Sequence, residues 1–115
     1  MNAGKNIGIS VVGEHGEVEW SGGSFSINDF QNIVIKSQQL DFVCIGLIDL
    51  FGDTYFNQKQ CTRILDSELK ILKRNKSIKK ELIQAIEIGC KKVLEESWSY
   101  LKIAGATNFV IKAEN

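Results

Sequence analysis

Asp41-Phe-Val-Cys-Ile-Gly-Leu-Ile-Asp49, continuing through Leu50-Phe-Gly-Asp-Thr-Tyr-Phe56 into Asn57-Gln-Lys-Gln60, is the stretch on which the fold of this 115-residue chain turns. Residues 42–48 lie between two aspartates and are rich in Phe, Val and Ile. The run is too short for a buried helix. Its composition predicts a strand buried on both faces at the centre of a sheet. Gly46 inside it marks a bulge or the close approach of a helix. Asp49 and Asp53 flank a corner at Phe51-Gly52, where glycine can supply a positive φ.

Asn57 reads as a helix N-cap, its side-chain oxygen placed to accept from a free amide of the first turn. Gln60, three residues on, is its partner in a capping box, and Phe56 and Cys61 are spaced as a hydrophobic staple. The helix is expected from about 58 to 74. Cys61, Ile64, Leu65, Leu72 and Leu69, with Glu68 beside it, mark the apolar side; Arg63, Asp66, Lys70 and Lys73 face out. Asp66 and Lys70 have the spacing of an i,i+4 ion pair.

Upstream, Ile7, Ile9 and Val11 alternate in a strand over 6–12. After a turn at Gly13-Glu-His-Gly16, Val18 and Trp20 are expected inward and Glu17 and Glu19 outward, completing a β-hairpin. Ser21-Gly-Gly-Ser24 reads as a flexible corner, without the GxGxxG or GxxxxGK spacing of a phosphate loop. Ser26 caps a helix with Asp29 in its first turn, and Ile27, Phe30, Ile33 and Val34 carry it to near Gln39.

Downstream, Lys73-Arg-Asn-Lys-Ser-Ile-Lys-Lys80 is the densest run of charge. No aromatic interleaves it, so it reads as a solvated turn whose cations favour the C-terminus of the preceding helix rather than as a nucleic-acid patch. Ser77 is the expected cap of a third helix over about 78–96, with a broad apolar stripe from Ile78 and Leu82 to Val93 and Leu94. Trp98, Tyr100, Leu101 and Ile103 then read as a strand, Gly105 as a turn, and 108–112 as a returning strand. The order β-β-α-β-α-α-β(β) predicts a single α+β domain over 1–115, an antiparallel or mixed sheet covered by three helices.

Net charge is zero, but seven acids and two bases give residues 1–56 a net −5, and twelve bases and seven acids give residues 57–115 a net +5. Such asymmetry can steer charged partners. The chain has no apolar run long enough to span a membrane, and its first residues lack a signal-peptide core, so a cytoplasmic protein with no membrane partner is expected. Three cysteines without a CxxC pair argue against a disulfide framework or a zinc site and suit small buried hydrophobes. His15, the only histidine, lies in a polar turn, and no GxSxG elbow accompanies it. Asp49, Asp53, Thr54 and Asn57 are oxygen ligands of the kind a hard cation takes, but EF-hand spacing is absent. No cofactor motif is present. Residue chemistry alone therefore names no function.

The segment Ile48-Asp49-Leu-Phe-Gly52-Asp53-Thr54-Tyr-Phe56-Asn57-Gln-Lys-Gln60, with Leu65 and Glu68-Leu69 beyond it, is similar to small bacterial immunity proteins of polymorphic-toxin and contact-dependent growth inhibition systems. In those, a D-x-x-G-D-T-x-F-N-x-x-Q segment leads into a helix with a later E-L. Ser99-Tyr100-Leu-Lys-Ile-Ala-Gly105 looks like the strand that follows their last helix. Ala106-Thr107 stands where an acid is expected, and the N-terminal hairpin carries no part of the match. The resemblance implies a non-enzymatic cytoplasmic protein that binds and neutralises a cognate toxin domain, a nuclease in the first instance. Because toxin-contacting surfaces in such proteins diverge, the motif would mark scaffold rather than interface. A basic nuclease surface would be met by acids. Glu14, Glu17 and Glu19 on the hairpin, with Asp49 and Asp53 at the corner, are the candidate partner-binding residues. Two other readings stand beside it. One is a small regulatory or ligand-binding module, homodimeric through a sheet edge. The other is a metal-dependent hydrolase using Asp49 and Asp53.

Overall fold

The structure, a computed structural model, describes residues 6–96 and 98–106. Strand β1, Asn6–Val12, places Ile7, Ile9 and Val11 in the core, as the alternation predicts. Strand β2 runs antiparallel to it over Val18–Ser26, longer than the sequence suggests. The Ser21-Gly-Gly-Ser24 stretch is thus inside the strand and not a corner. Pairing slips between Gly8 and Ser10, leaving Gly22 and Gly23 opposite Ile9. Gly23 takes φ +88° there, a bulge that a residue with a Cβ would strain. A second slip leaves Glu19 as the extra residue between Val18 and Trp20. Alternation breaks at that bulge, so Val18 is 66% exposed instead of inward while Trp20 is half-buried.

Helix α1, Ile27–Gln39, begins as expected: Ser26 Oγ accepts from Asp29 N at 3.1 Å. It buries Phe30, Ile33 and Val34. The largest departure from the sequence reading follows. Residues 42–48 form no strand; they make a loop with a short 3-10 turn at Ile45–Leu47. The third strand, β3, is Asp53–Phe56, in the segment read as a corner.

The capping box at Asn57 and Gln60 is present in both directions, at 2.9 and 2.8 Å. Phe56 and Cys61 are both buried beside it. The helix it opens is not one regular α-helix. It comprises α2 (Gln58–Arg63), a π-turn at Ile64–Glu68, and α3 (Leu69–Leu72). The π-turn inserts one residue, so Ile64, Glu68, Leu69 and Leu72 all point inward. It also takes Asp66 and Lys70 out of α-helical register, and no ion pair joins them.

Helix α4, Lys80–Glu95, starts two residues later than expected. Ser77 does not cap it: its N and Oγ both donate to Asn75 Oδ1, at 2.9 and 2.6 Å, and Lys79 occupies the cap position without a side-chain bond. Leu82, Ile83, Ile86, Cys90 and Val93 are buried, whereas Leu94 is exposed. Gly89 lets the helix approach the sheet, for a Cβ there would meet the side chains of Leu101 and Trp20. Strand β4, Tyr100–Ala104, is the last element among the described residues. Trp98, read as part of that strand, lies outside it with φ +64° and is 71% exposed. The returning strand expected at 108–112 lies outside the described residues.

The four strands form one antiparallel sheet in the order β2-β1-β4-β3. The helices cover one face, where Ile7, Ile9, Val11, Leu101 and Ile103 meet Phe30, Ile33, Leu82 and Ile86 in one apolar cluster. The fold is α+β, with the element order the sequence suggests and the third strand displaced toward the C-terminus.

Candidate protein-docking site

The segment 40–53 joins α1 to β3, and it is strongly apolar without being buried. Leu47 is 72% exposed, Phe51 58% and Val43 52%. Cys44, Ile45 and Ile48, which lie between them, are in the core. The turn geometry makes the difference. Asp41 has φ +58°, and the Asp41 and Phe42 amides donate to Gln38 and Ser37 carbonyls, so the chain reverses directly off α1. Gly46 rests against Ser37 and Gln38 of that helix, the close approach its position suggested, and Gln38 Nε2 donates to Gly46 O at 3.0 Å.

Glu68 holds the loop from behind. This carboxylate is completely buried, with Oε2 accepting from Cys44 N at 3.1 Å and Oε1 from Ile45 N at 2.9 Å. A neighbouring strand would otherwise have to satisfy those two amides, so Glu68 is the physical reason that 42–48 is not a strand. Arg63 Nε approaches Glu68 Oε2 at 3.4 Å from a half-exposed position, giving the carboxylate a counter-charge. The π-turn brings Glu68 inward; such turns recur at functional sites. Nothing in the apolar periodicity signals this role.

At the far end of the loop, Thr54 Oγ1 accepts from Asp49 N at 3.0 Å, and Asp49 Oδ1 from Phe51 N at 2.9 Å. Ala106 N donates to Leu50 O at 2.9 Å, tying the corner to the end of β4. Phe51 therefore projects from a braced turn. Between Ser37 and Gln58 there are three acids, Asp41, Asp49 and Asp53, and no lysine or arginine. The result is an exposed apolar surface in an anionic setting. Two cations stand near it among the ion pairs of the described residues: Arg63, 3.4 Å from Glu68 Oε2, and Lys102, 3.8 Å from Asp53 Oδ2 and 5.8 Å from the centre of the Tyr55 ring.

The five candidate acids are all exposed, but they do not share one surface. Asp49 and Asp53 lie at the far end of the 40–53 loop. Glu14 borders a shallow hollow with Val12, Tyr55 and Tyr100 at the hairpin end of the sheet. Glu17 Oε1 accepts from His15 N at 3.1 Å and closes the hairpin turn. Glu19, the bulge residue, brings its carboxylate beside that of Glu17, both over Gly13, and also lines a hollow with Lys92 and Glu95 of α4 and Glu96 just past it. The sequence reading missed the exposed apolar residues Val43, Leu47 and Phe51, because an unbroken apolar run reads as core.

The remaining reactive groups serve the interior. All three cysteines are free and buried. Burial, reinforced by the Glu68 charge, pushes the Cys44 thiol up to about 11; a hydrogen bond with Cys61, and then burial, raise Cys90. His15 is exposed in the hairpin turn and meets none of them. Among the described residues no three His, Cys, Asp or Glu side chains converge as a metal-ligand group. No described helix is long and apolar enough to cross a membrane. No protein-family model, curated protein or solved structure matches the chain.

Proposed function

We propose that this chain is an immunity protein, antitoxin-like, that acts in the cytoplasm by binding and neutralising a cognate bacterial toxin domain, a nuclease, without catalysis. The observation that carries the reading is the loop 40–53. It exposes Leu47 and Phe51 while Glu68 and the Asp49–Thr54 bond hold its backbone in place. Several large apolar side chains exposed on one loop are the kind of patch through which proteins associate. A pre-braced loop gives up less conformational entropy on binding than a free one. The loop itself carries three acids and no base, which suits a partner that binds nucleic acid through cations. The resemblance points the same way: Asp49, Thr54, Asn57 and Gln60 of the shared motif, and Glu68 beyond it, bond within the fold, as scaffold residues would.

The test is co-expression with a candidate toxin domain from the same host, followed by copurification and titration of nuclease activity. Inhibition is expected to end at one-to-one stoichiometry. Leu47→Asp with Phe51→Ala should weaken binding by about 30-fold or more, as loss of an interface anchor does. Charge reversal at Asp53, whose carboxylate makes only an exposed pair with Lys102, should act mainly on the association rate and fade as ionic strength rises above about 0.15 M. Undiminished inhibition by the Leu47/Phe51 variant would move the interface elsewhere. A toxin domain that remains active with excess protein, across every candidate of the host, would end the immunity reading.

A further inference from the structure

The basic turn between α3 and α4 is more than a solvated connection. It borders a cleft of about 490 Å3 between the turn and the first turns of α4. The floor is apolar, made by Ile78 and Ile83, each only 5% exposed. Lys73, Asn75, Lys76 and Lys80 stand around it, with the Gln84 amide and the Glu87 carboxylate on the helix side. Lys73 is already engaged, its Nζ 2.9 Å from Glu87 Oε2. Lys76 and Lys80 make no ion pair among the described residues.

The sequence reading explained these cations by the C-terminus of the preceding helix. That holds for Lys73 and Arg74, which follow α3 directly. It fails for Lys76, Lys79 and Lys80, which gather where α4 begins, the end at which a helix favours anions. Clustered like charges in an unfavourable position, around a cavity with an apolar floor, are a local conflict of the kind that folds retain at functional sites.

We infer that the Ile78/Ile83 cleft is a binding site for a small organic phosphate of the mononucleotide class. Its phosphate would lie between the Lys76 and Lys80 ammonium groups and its flat body on the isoleucine floor. Pockets of this size, mostly apolar with a few convergent polar groups, are typical of small-molecule sites. The inference does not depend on toxin binding, since the cleft and the 40–53 loop use different residues.

Calorimetric titration of the full chain with a nucleoside monophosphate, and separately with inorganic phosphate, tests it. Nucleotide binding is expected to saturate at one site with Kd below about 1 mM, and inorganic phosphate to bind at least about tenfold more weakly. Lys76→Ala with Lys80→Ala should weaken nucleotide binding about tenfold or more, whereas Lys59→Ala on α2 should leave it unchanged. All three lysines are exposed, so the variants keep the fold, which circular dichroism verifies. Amide shifts on titration should centre on Ile78, Ile83 and Gln84. Absence of saturation by about 10 mM, or equal affinity in the double variant, would overturn the proposal. So would equal binding of inorganic phosphate, which removes the role of the floor, or binding of oligonucleotides alone, which would make the turn a polyanion patch.

Discussion

Glu68→Ala should be among the most damaging single changes in this protein, although it removes no apolar contact. Two buried amides, Cys44 N and Ile45 N, donate to this carboxylate at 3.1 and 2.9 Å. Hydrogen bonds to a charged group contribute about 1.5–3 kcal/mol each, and a buried donor left unpaired loses its hydration without return. The Arg63 pair adds little, because that guanidinium is half in solvent. The sum is a loss of about 3–5 kcal/mol, in the range for breaking a buried charged pair. A domain of this size has only about 5–15 kcal/mol in total. Glu68→Gln retains one acceptor but turns an NH2 group toward the other amide, so it should fall between. Urea unfolding followed by circular dichroism reads this directly: with a slope of about 2 kcal/mol per molar, the Ala midpoint should drop by about 2 M. Hydrogen exchange adds location, since the Cys44 and Ile45 amides should lose protection well before those of Ile9 and Ile103 in the central strands. A midpoint for Glu68→Ala within about 0.5 M of the parent would refute the claim that this carboxylate organises the loop.

Gly89→Ala should destabilise by about 1–2 kcal/mol despite the better helix propensity of alanine, because the new methyl runs into Leu101 and Trp20; thermal unfolding checks it. None of the three thiols should react appreciably with a disulfide reagent at neutral pH in the native protein, and all three should react in urea, since they are buried and Cys44 and Cys90 are pushed up. Glu87 has its carboxyl held below the usual value by its hydrogen bond to Lys73, with Lys91 also near. Its stabilising contribution is therefore complete above the unfolded-state pKa and fades as pH falls through the lower folded-state value. The stability difference between the parent and Glu87→Gln should be under about 1 kcal/mol, flat near neutrality, and should shrink in acid urea titrations.

Much of the architecture was legible in local pattern. The alternation of Ile7, Ile9 and Val11, the Ser26 cap, the capping box at Asn57 and Gln60, and the apolar stripe of α4 depend on neighbours within a few residues, and each is present. Where distant groups intervened, pattern misled. The run at 42–48 has strand composition, yet two of its amides bond to a carboxylate more than twenty residues away, and Val43 and Leu47 face outward. The bulge at Glu19 reversed the expected direction of Val18, and the Ser77 hydroxyl bonded to Asn75 in place of capping a helix. Glu17 and Glu19 face outward as their spacing suggested, but the separation of Asp49 and Asp53 from the hairpin acids follows from strand order and turn direction, which no local spacing encodes.

The sequence by itself determined the α+β class, the caps, the core periodicity and the segregation of charge along the chain, because these are properties of short-range geometry and composition. Only the tertiary structure decided that the most apolar segment would leave Leu47 and Phe51 exposed. A buried glutamate, brought inward by one extra residue in a helix, removed that segment from the sheet. Hydrogen-bond satisfaction across the fold outweighed local strand propensity there.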